Sequence, residues 1–246
     1  MKFAAKVQKS SLTSSYFTHQ NVNNSEIILL LAGFCVPLSS MNEQNSNETW
    51  SENVILADAD YIDKVAFDLI VNFERMIERR IPKGNMAIWA DCVALDGGLR
   101  PGDNQIQVVL IHSKGKKQMD NLGPSDFAAD LSGKAFKDKL GEFIFDSYAT
   151  EEDIVSHGDF FIDALQVITA RKEVKRIMVI PNAEDDYIYN KVRETLNRVD
   201  DDSKRMTVFT MQPMPGGRFQ QEILGYSLMA ALGIHSAEIE KSTNKL

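Results

Sequence analysis

The chain has 246 residues, with 27 Lys and Arg against 35 Asp and Glu, so its formal net charge at pH 7 is -8. Hydrophobic residues make up 43% and charged residues 25%, ordinary values that exclude collagen, low-complexity disorder and a disulfide-stapled miniprotein. The acidic balance also excludes a basic DNA-binding module, which needs a positive field. Two cysteines and four scattered histidines indicate buried reduced thiols and no structural zinc site.

The N-terminal region differs in composition from the rest of the chain. Residues 1–25 contain no Asp or Glu, and the apolar segment 27–38 that follows is too short to span a bilayer. Its length would suit a signal-peptide core, but we expect a buried strand, no membrane contact and a cytoplasmic protein. A polar linker follows. We therefore predict an N-terminal extension and linker at 1–52 and an α/β domain at 53–246.

Strand patterns alternate with helical patterns from residue 53 onward. Predicted strands lie at 54–57, 86–95, 105–112, 142–147, 176–180 and 206–211. Predicted helices lie at 61–80, 159–171, 185–199 and 218–232, with a short one at 125–131. The Gly-rich stretch 96–104 could join its flanking strands as a hairpin. The alternation predicts a three-layer, Rossmann-like, mainly parallel sheet with helices on both faces.

Acidic residues follow two of the predicted strands and open one predicted helix. In open α/β sheets, ligands bind beyond the carboxyl ends of the strands. Carboxylates that converge there repel one another, and a Mg²⁺ or Mn²⁺ ion would remove the repulsion and hold a water and a phosphate oxygen. The pattern therefore favours a metal-dependent phosphodiesterase. The acids concerned are Asp58, Asp60, Asp159, Asp163, Glu184 and Asp186.

The order of these elements resembles the NYN branch of the PIN-like ribonucleases. The resemblance places that family's Asp-x-Asn/Asp element on Asp58 and Asp60, and its middle acidic residue on Asp159 or Asp163. The family's Ser-Gly-Asp-x-Asp-Phe element falls on residues 182–187, which read Asn-Ala-Glu-Asp-Asp-Tyr. The Ser-Gly pair is missing there, and Glu replaces the first Asp. The region 86–150 is also longer than is usual for the family.

This resemblance implies a PIN-like core that acts on RNA. It implies catalytic roles for five acids, with Asp58 and Asp186 on the Mg²⁺ or Mn²⁺ ion. The five are Asp58, Asp60, Asp163, Glu184 and Asp186. The chain as a whole also resembles an uncharacterised bacterial family of the gut Bacteroides type.

Each of these acids also has a local explanation. Asp60 would be a good N-cap for the helix 61–80, and Asp159 would be one for the helix 159–171. Acids at 184–186 suit the positive end of the next helix. A purely structural role for the acidic set therefore stays open.

A second candidate site lies at Gly216, Gly217 and Arg218. These residues directly precede or open the predicted helix 218–232, where free backbone N–H groups and an arginine would bind a phosphate. This pattern favours a non-catalytic nucleotide- or anion-binding module. The alternative is a plain turn before a helix.

A third hypothesis is an interaction protein that forms a homo-oligomer and has a degenerate site. Met206, Met211, Met214, Met229 and the segment 27–38 would supply its contact, although such residues also suit a core. No nucleophilic triad is visible. His112 and His157 could reach the carboxyl edge of the sheet or lie hydrogen-bonded at the surface. The sequence leaves open whether the protein is an enzyme.

Overall fold

The computed structural model describes residues 18–19, 50–151 and 155–243. The apolar segment 27–38 lies outside the described residues, so the buried strand expected there stays a prediction. Within the described ranges, no helix combines the length and apolarity needed to cross a membrane.

Ten strands and six α-helices are assigned in the described part of the chain. The strands are β1 (Thr18–His19), β2 (Asn53–Asp58), β3 (Gly84–Asn85), β4 (Asn104–Ser113), β5 (Leu122–Gly123), β6 (Lys134–Lys137), β7 (Gly141–Thr150), β8 (Arg176–Ile180), β9 (Arg205–Thr210) and β10 (Gln220–Ile223). The helices are α1 (Ala59–Ile77), α2 (Met86–Asp96), α3 (His157–Ala170), α4 (Asp186–Asn197), α5 (Leu224–Ala231) and α6 (Ser236–Thr243). A π-helical turn lies at Phe127–Leu131.

The main sheet has eight strands in the order β1-β6-β7-β4-β2-β8-β9-β10. The strands from β7 to β10 in this order are parallel to their neighbours, whereas β6 and β1 add antiparallel pairs at one edge. The prediction of an α/β protein with a mainly parallel sheet is thus confirmed. Along the chain, β2, β4 and β7 extend the sheet in one direction, and β8, β9 and β10 extend it in the other.

Two hydrophobic clusters use alternate residues of the sheet. Ile55 of β2 belongs to a cluster with α1, α2 and α5, whereas Val54 and Leu56 belong to a cluster with α3 and α4. Because successive strand residues point to opposite faces, these helices cover both faces of the sheet. The core therefore fixes where each strand ends and where each following helix begins.

The strand predicted at 86–95 is wrong, since these residues form α2. Apart from Asp91 and Asp96, the segment is apolar around its whole circumference and therefore shows no helical periodicity. Its start is marked by Asn85, whose Oδ1 accepts the N–H groups of Ala87 at 2.9 Å and Ile88 at 3.2 Å. The predicted hairpin is wrong for the same reason, because β4 pairs in parallel with β2 and β7.

The helix predicted at 218–232 is wrong in its first part. Residues 220–223 form β10, which pairs in parallel with β9, and α5 begins only at Leu224. Pairing at the sheet edge has overridden the local pattern here. The other predicted helices and strands fall on observed elements, with the short helix at 125–131 appearing as the π-helical turn.

Candidate functional site

The strand order reverses between β2 and β8, and the two strands are parallel neighbours. Ala57, one residue before the end of β2, pairs with Ile180 at the end of β8. Because the chain leaves these strands for opposite halves of the sheet, a crevice is expected between the loops that follow them. We call this region, formed by Asp58, Lys64, His157, Glu184 and Tyr187, the crevice.

Asp58 is buried at the end of β2 and has a partner for each carboxylate oxygen. Oδ1 accepts the backbone N–H of Tyr61 at 3.0 Å, so Asp58 is the N-cap of α1. Oδ2 lies 3.1 Å from Nε2 of His157. The prediction of Asp60 as the cap is therefore wrong, because α1 begins two residues earlier than the sequence suggested.

His157 is the first residue of α3 and is held from both sides of its ring. Its Nδ1 lies 3.1 Å from the hydroxyl of Thr150, which also lies 3.3 Å from the carbonyl oxygen of His112. The Thr150 hydroxyl can donate to either acceptor. When it donates to Nδ1, the ring N–H lies at Nε2, toward Asp58.

Thr150, His157 and Asp58 have the spacing of a nucleophile, its base and an orienting acid. Thr150 is, however, 0% exposed. Its hydroxyl cannot meet a substrate from solvent in this arrangement. The three residues therefore position one another, and His157 fixes the orientation of the Asp58 carboxylate.

Asp60 and Asp63 join the first turns of α1 to the end of β4 and to the loop that follows it. Asp60 Oδ2 accepts the backbone N–H of Ser113 at 2.9 Å and also its hydroxyl. Asp63 accepts the N–H of Asn121 at 2.8 Å. The ammonium group of Lys116 lies 3.6 Å from Asp60 and 3.3 Å from Asp63. Both carboxylates are thus engaged in structural contacts.

Glu184, in the loop after β8, forms an ion pair with Lys64 of α1, and both side chains are about half exposed. Tyr61 lies nearby, and its buried hydroxyl has no hydrogen-bond partner among the described residues. Burial raises the pKa of Tyr61, and the negative charges of Glu184 and Asp58 raise it further. Both carboxylates therefore act on the same buried phenol, although Lys64 and His157 are their partners.

Tyr187 is the exposed aromatic residue of the crevice. It is 55% exposed in the first turn of α4, where Asp185 is the N-cap. Its hydroxyl donates to Asp159 at 3.2 Å, and the Lys191 ammonium lies 5.8 Å from the ring centroid. These contacts hold the ring in place while more than half of the residue stays accessible to solvent.

The remaining predicted acids lie on the two helices beside the crevice. Asp186 is exposed at the start of α4. Asp163 is part-buried on α3, where burial and the charge of Asp159 raise its pKa. Across the described residues, no group of three or more His, Cys, Asp or Glu side chains is placed to hold a metal ion. The metal shell that the resemblance implies is therefore not assembled, and binding of Mg²⁺ or Mn²⁺ stays a prediction.

Gly216, Gly217 and Arg218 do not precede a helix directly, because β10 intervenes. The N–H of Arg218 donates to Asn197 Oδ1 at 2.8 Å, and its guanidinium lies 3.8 Å from Asp200. The helix start on which the anion site was predicted is absent from these residues. Anion binding here stays a prediction without that support.

The sequence did not indicate the cations that pair with the crevice acids. Lys64 meets Glu184 across 120 positions of the chain, a pairing that only the strand order creates. The position of His157 could have been predicted from the sequence. It stands at the start of a helix that follows a strand, and such residues lie at the carboxyl edge of the sheet.

Fold and crevice together define an α/β protein with a polar site at the carboxyl edge of a mostly parallel sheet. Residues 47–239 match a family of unknown function, DUF6621, and the chain belongs to this family. This confirms the expectation of an uncharacterised family. No curated protein and no solved structure matches the chain.

Proposed function

We propose that this protein is a nucleotide-binding module with a Rossmann-like, PIN-like core, and that it binds its ligand in the crevice without catalysis. The observation that carries the proposal is the exposed, anchored ring of Tyr187 at the point where the strand order reverses. Ligands of open α/β sheets bind at this point, outside the carboxyl ends of the strands.

The side chains around Tyr187 suit a nucleoside. An accessible aromatic face stacks on a base whatever its sequence, at a gain of about 1–3 kcal/mol per base. Glu184 offers carboxylate oxygens to ribose hydroxyls, as acidic residues do in dinucleotide sites. Lys191, whose ammonium lies over the ring and 3.5 Å from the carboxylate of Glu194, supplies a positive charge for a phosphate. The ligand class is thus a mononucleotide or a short single strand of RNA.

The net charge of -8 limits the contribution of phosphate contacts. A protein with few such contacts has a shallow salt dependence, because few counterions are released on binding. Stacking, rather than charge neutralisation, therefore supplies most of the affinity.

The test is a titration of the full chain with mononucleotides and short single-stranded RNA, in which fluorescence anisotropy or calorimetry measures binding. Replacing Tyr187 by Ala is expected to weaken binding about 5- to 150-fold, whereas Tyr187→Phe keeps most of the affinity. Tyr226, which is 49% exposed on α5, gives a matched control, and Tyr226→Ala should bind like the wild type. No binding by the wild type, or equal losses in both alanine variants, would contradict the proposal.

A metal-dependent ribonuclease is the second candidate. It is favoured by the adjacency of β2 and β8, which puts Asp58 and the loop leading to Asp186 at one edge of the sheet, as the resemblance requires. The assay is RNA cleavage with Mg²⁺ or Mn²⁺. Cleavage by the wild type that is lost in Asp186→Asn, an exposed position, would establish this candidate. We expect no cleavage.

Homo-oligomer formation is the weaker proposal. Met206 is buried in the cluster with α3 and α4, and Met211, Met214 and Met229 pack against the hydrophobic clusters. The methionines therefore serve the packing of the chain itself. Size-exclusion chromatography with light scattering measures the oligomeric state directly.

A further inference from the structure

We propose that Lys64, Lys116 and His157 take the place of a divalent metal ion as the groups that hold the carboxylates of Asp58, Asp60 and Glu184. These are three of the five acids to which the resemblance gives metal-dependent catalysis. In the structure, each of them is bound by a donor from this chain. The proposal goes beyond nucleotide binding, since it concerns what neutralises the site before any ligand arrives.

The pair of Asp58 and His157 is the most buried of the three. Asp58 is 5% exposed, and its two oxygens face the N–H of Tyr61 and the ring of His157. A metal ion that used Asp58 would have to share an oxygen with one of these contacts. Both are fixed by secondary structure, because Tyr61 is in α1 and His157 opens α3.

Asp60 is held in the same way by the end of β4 and the loop that follows it. Ser113, the last residue of β4, donates two hydrogen bonds to Oδ2. The buried Oδ1 has no hydrogen bond among the described residues and faces the ammonium of Lys116 as an ion pair at 3.6 Å. Lys116 also binds Asp63, so one ammonium group offsets two carboxylates. A dication would meet this ammonium at close range and be repelled by it.

Lys64 and Glu184 form the one half-exposed pair of the set. Exposed pairs of this kind are worth about 0–1 kcal/mol, so Glu184 exchanges partners readily. Of these three carboxylates, Asp58 and Asp60 are thus each held by several donors, whereas Glu184 can exchange its exposed partner. Without a substrate phosphate beside it, one exchangeable carboxylate is too little for Mg²⁺ or Mn²⁺, which bind protein sites through one or two carboxylates together with substrate phosphates.

The test is a titration of the full chain with Mn²⁺, in which electron paramagnetic resonance measures the concentration of free Mn²⁺. The wild type is expected to show no saturable site tighter than about 1 mM. Lys64→Ala/His157→Ala, which frees Glu184 and one oxygen of Asp58, should bind Mn²⁺ at least about tenfold more tightly. Lys137→Ala removes a cation from an exposed pair with Asp103 outside the crevice and should bind like the wild type.

A saturable wild-type site that disappears in Asp58→Asn would overturn the proposal. So would a double variant that is folded by circular dichroism but binds Mn²⁺ no better than the wild type. If the double variant does not fold, the wild type still decides the question, because a saturable site tighter than about 1 mM would overturn the proposal. None of these results depends on nucleotide binding, so the proposed function can fail separately.

Discussion

The amino edge and the carboxyl edge of the sheet, where the parallel strands begin and end, use their cations differently. At the amino edge, the ammonium of Lys204 donates to the carbonyl oxygen of Thr169 at 2.8 Å and to that of Arg171, at the end of α3. Arg176, at the start of β8, donates to the carbonyl oxygen of Gly97, which follows α2. At the carboxyl edge, the cations instead bind carboxylates of other side chains.

At the amino edge the contacts of the cations are a fixed part of the fold, whereas at the carboxyl edge they can be exchanged for contacts with a ligand. Carbonyl groups at the end of a helix have no intrahelical partner, so a cation that binds them completes the fold. A side-chain carboxylate can rotate toward a ligand when its partner leaves. The comparison therefore predicts large stability effects at the amino edge and ligand effects at the carboxyl edge.

The largest effect is expected from Lys204, which is 9% exposed. Lys204→Ala leaves two helix-terminal carbonyls without their charged donor and should lower the free energy of unfolding by about 2–3 kcal/mol. Guanidinium denaturation measures this change. The exposed Lys172 is the control, and its alanine variant should stay within about 0.5 kcal/mol of the wild type. Equal effects of the two substitutions would remove the distinction between the edges.

Asp58 comes next, because it caps α1 as well as binding His157. Asp58→Ala should cost about 1–2 kcal/mol through the lost cap. Asn is an equally good N-cap, so Asp58→Asn should cost less and isolates the contact with His157. Thermal or chemical denaturation of both variants checks this order. A larger loss for Asn than for Ala would show that the cap is not what Asp58 contributes.

Asp91 gives a smaller effect that depends on pH. Burial, a hydrogen bond to Asp138 and the charge of Asp138 raise its pKa to about 8. An acid whose pKa is raised by folding stabilises the protein fully below its unfolded pKa of about 3.8, and this contribution is gone above pH 8. The wild type should therefore lose stability relative to Asp91→Asn as the pH rises from 4 to 8.

Because the Asp91 side chain is partly exposed, solvent screening should limit the change to about 1 kcal/mol. Denaturation curves at several pH values measure it, and Asp103→Asn, at a 98% exposed side chain, is the control. A difference between wild type and Asp91→Asn that does not vary with pH would show that the carboxyl pair does not titrate as described.

Lys64→Ala should have the smallest effect on stability, about 0–0.5 kcal/mol, because its pair with Glu184 is exposed. Its importance lies in the comparison with Lys204, since the two lysines lie at opposite edges. If Lys64→Ala destabilised the protein as much as Lys204→Ala, the crevice would be a fixed part of the fold and not an exchangeable site.

Much of the fold follows from patterns that are local in the sequence. The strands β2, β8 and β9 are short apolar runs, and α1 and α3 show the helical period. The two errors in secondary structure lie where local pattern and tertiary context differ. Apart from Asp91 and Asp96, α2 is apolar on all sides, and β10 forms only because β9 offers an edge to pair with.

The site was predictable only as separate acids at strand ends. Asp58 and Glu184 meet in one crevice because β2 and β8 are neighbours, which the order of elements suggested. Their partners, His157 and Lys64, come from the starts of α3 and α1, and only the folded chain places them. The sequence alone does not show which basic side chains will pair with the acids. For this reason a metal ion was expected to neutralise them.

The most direct test of the account is a titration of the full chain with a labelled short RNA, once with excess EDTA and once with Mg²⁺. The account predicts the same affinity in both titrations and intact RNA afterwards, with the affinity lowered in Tyr187→Ala. Binding that requires Mg²⁺, or RNA that is cleaved in its presence, would contradict it.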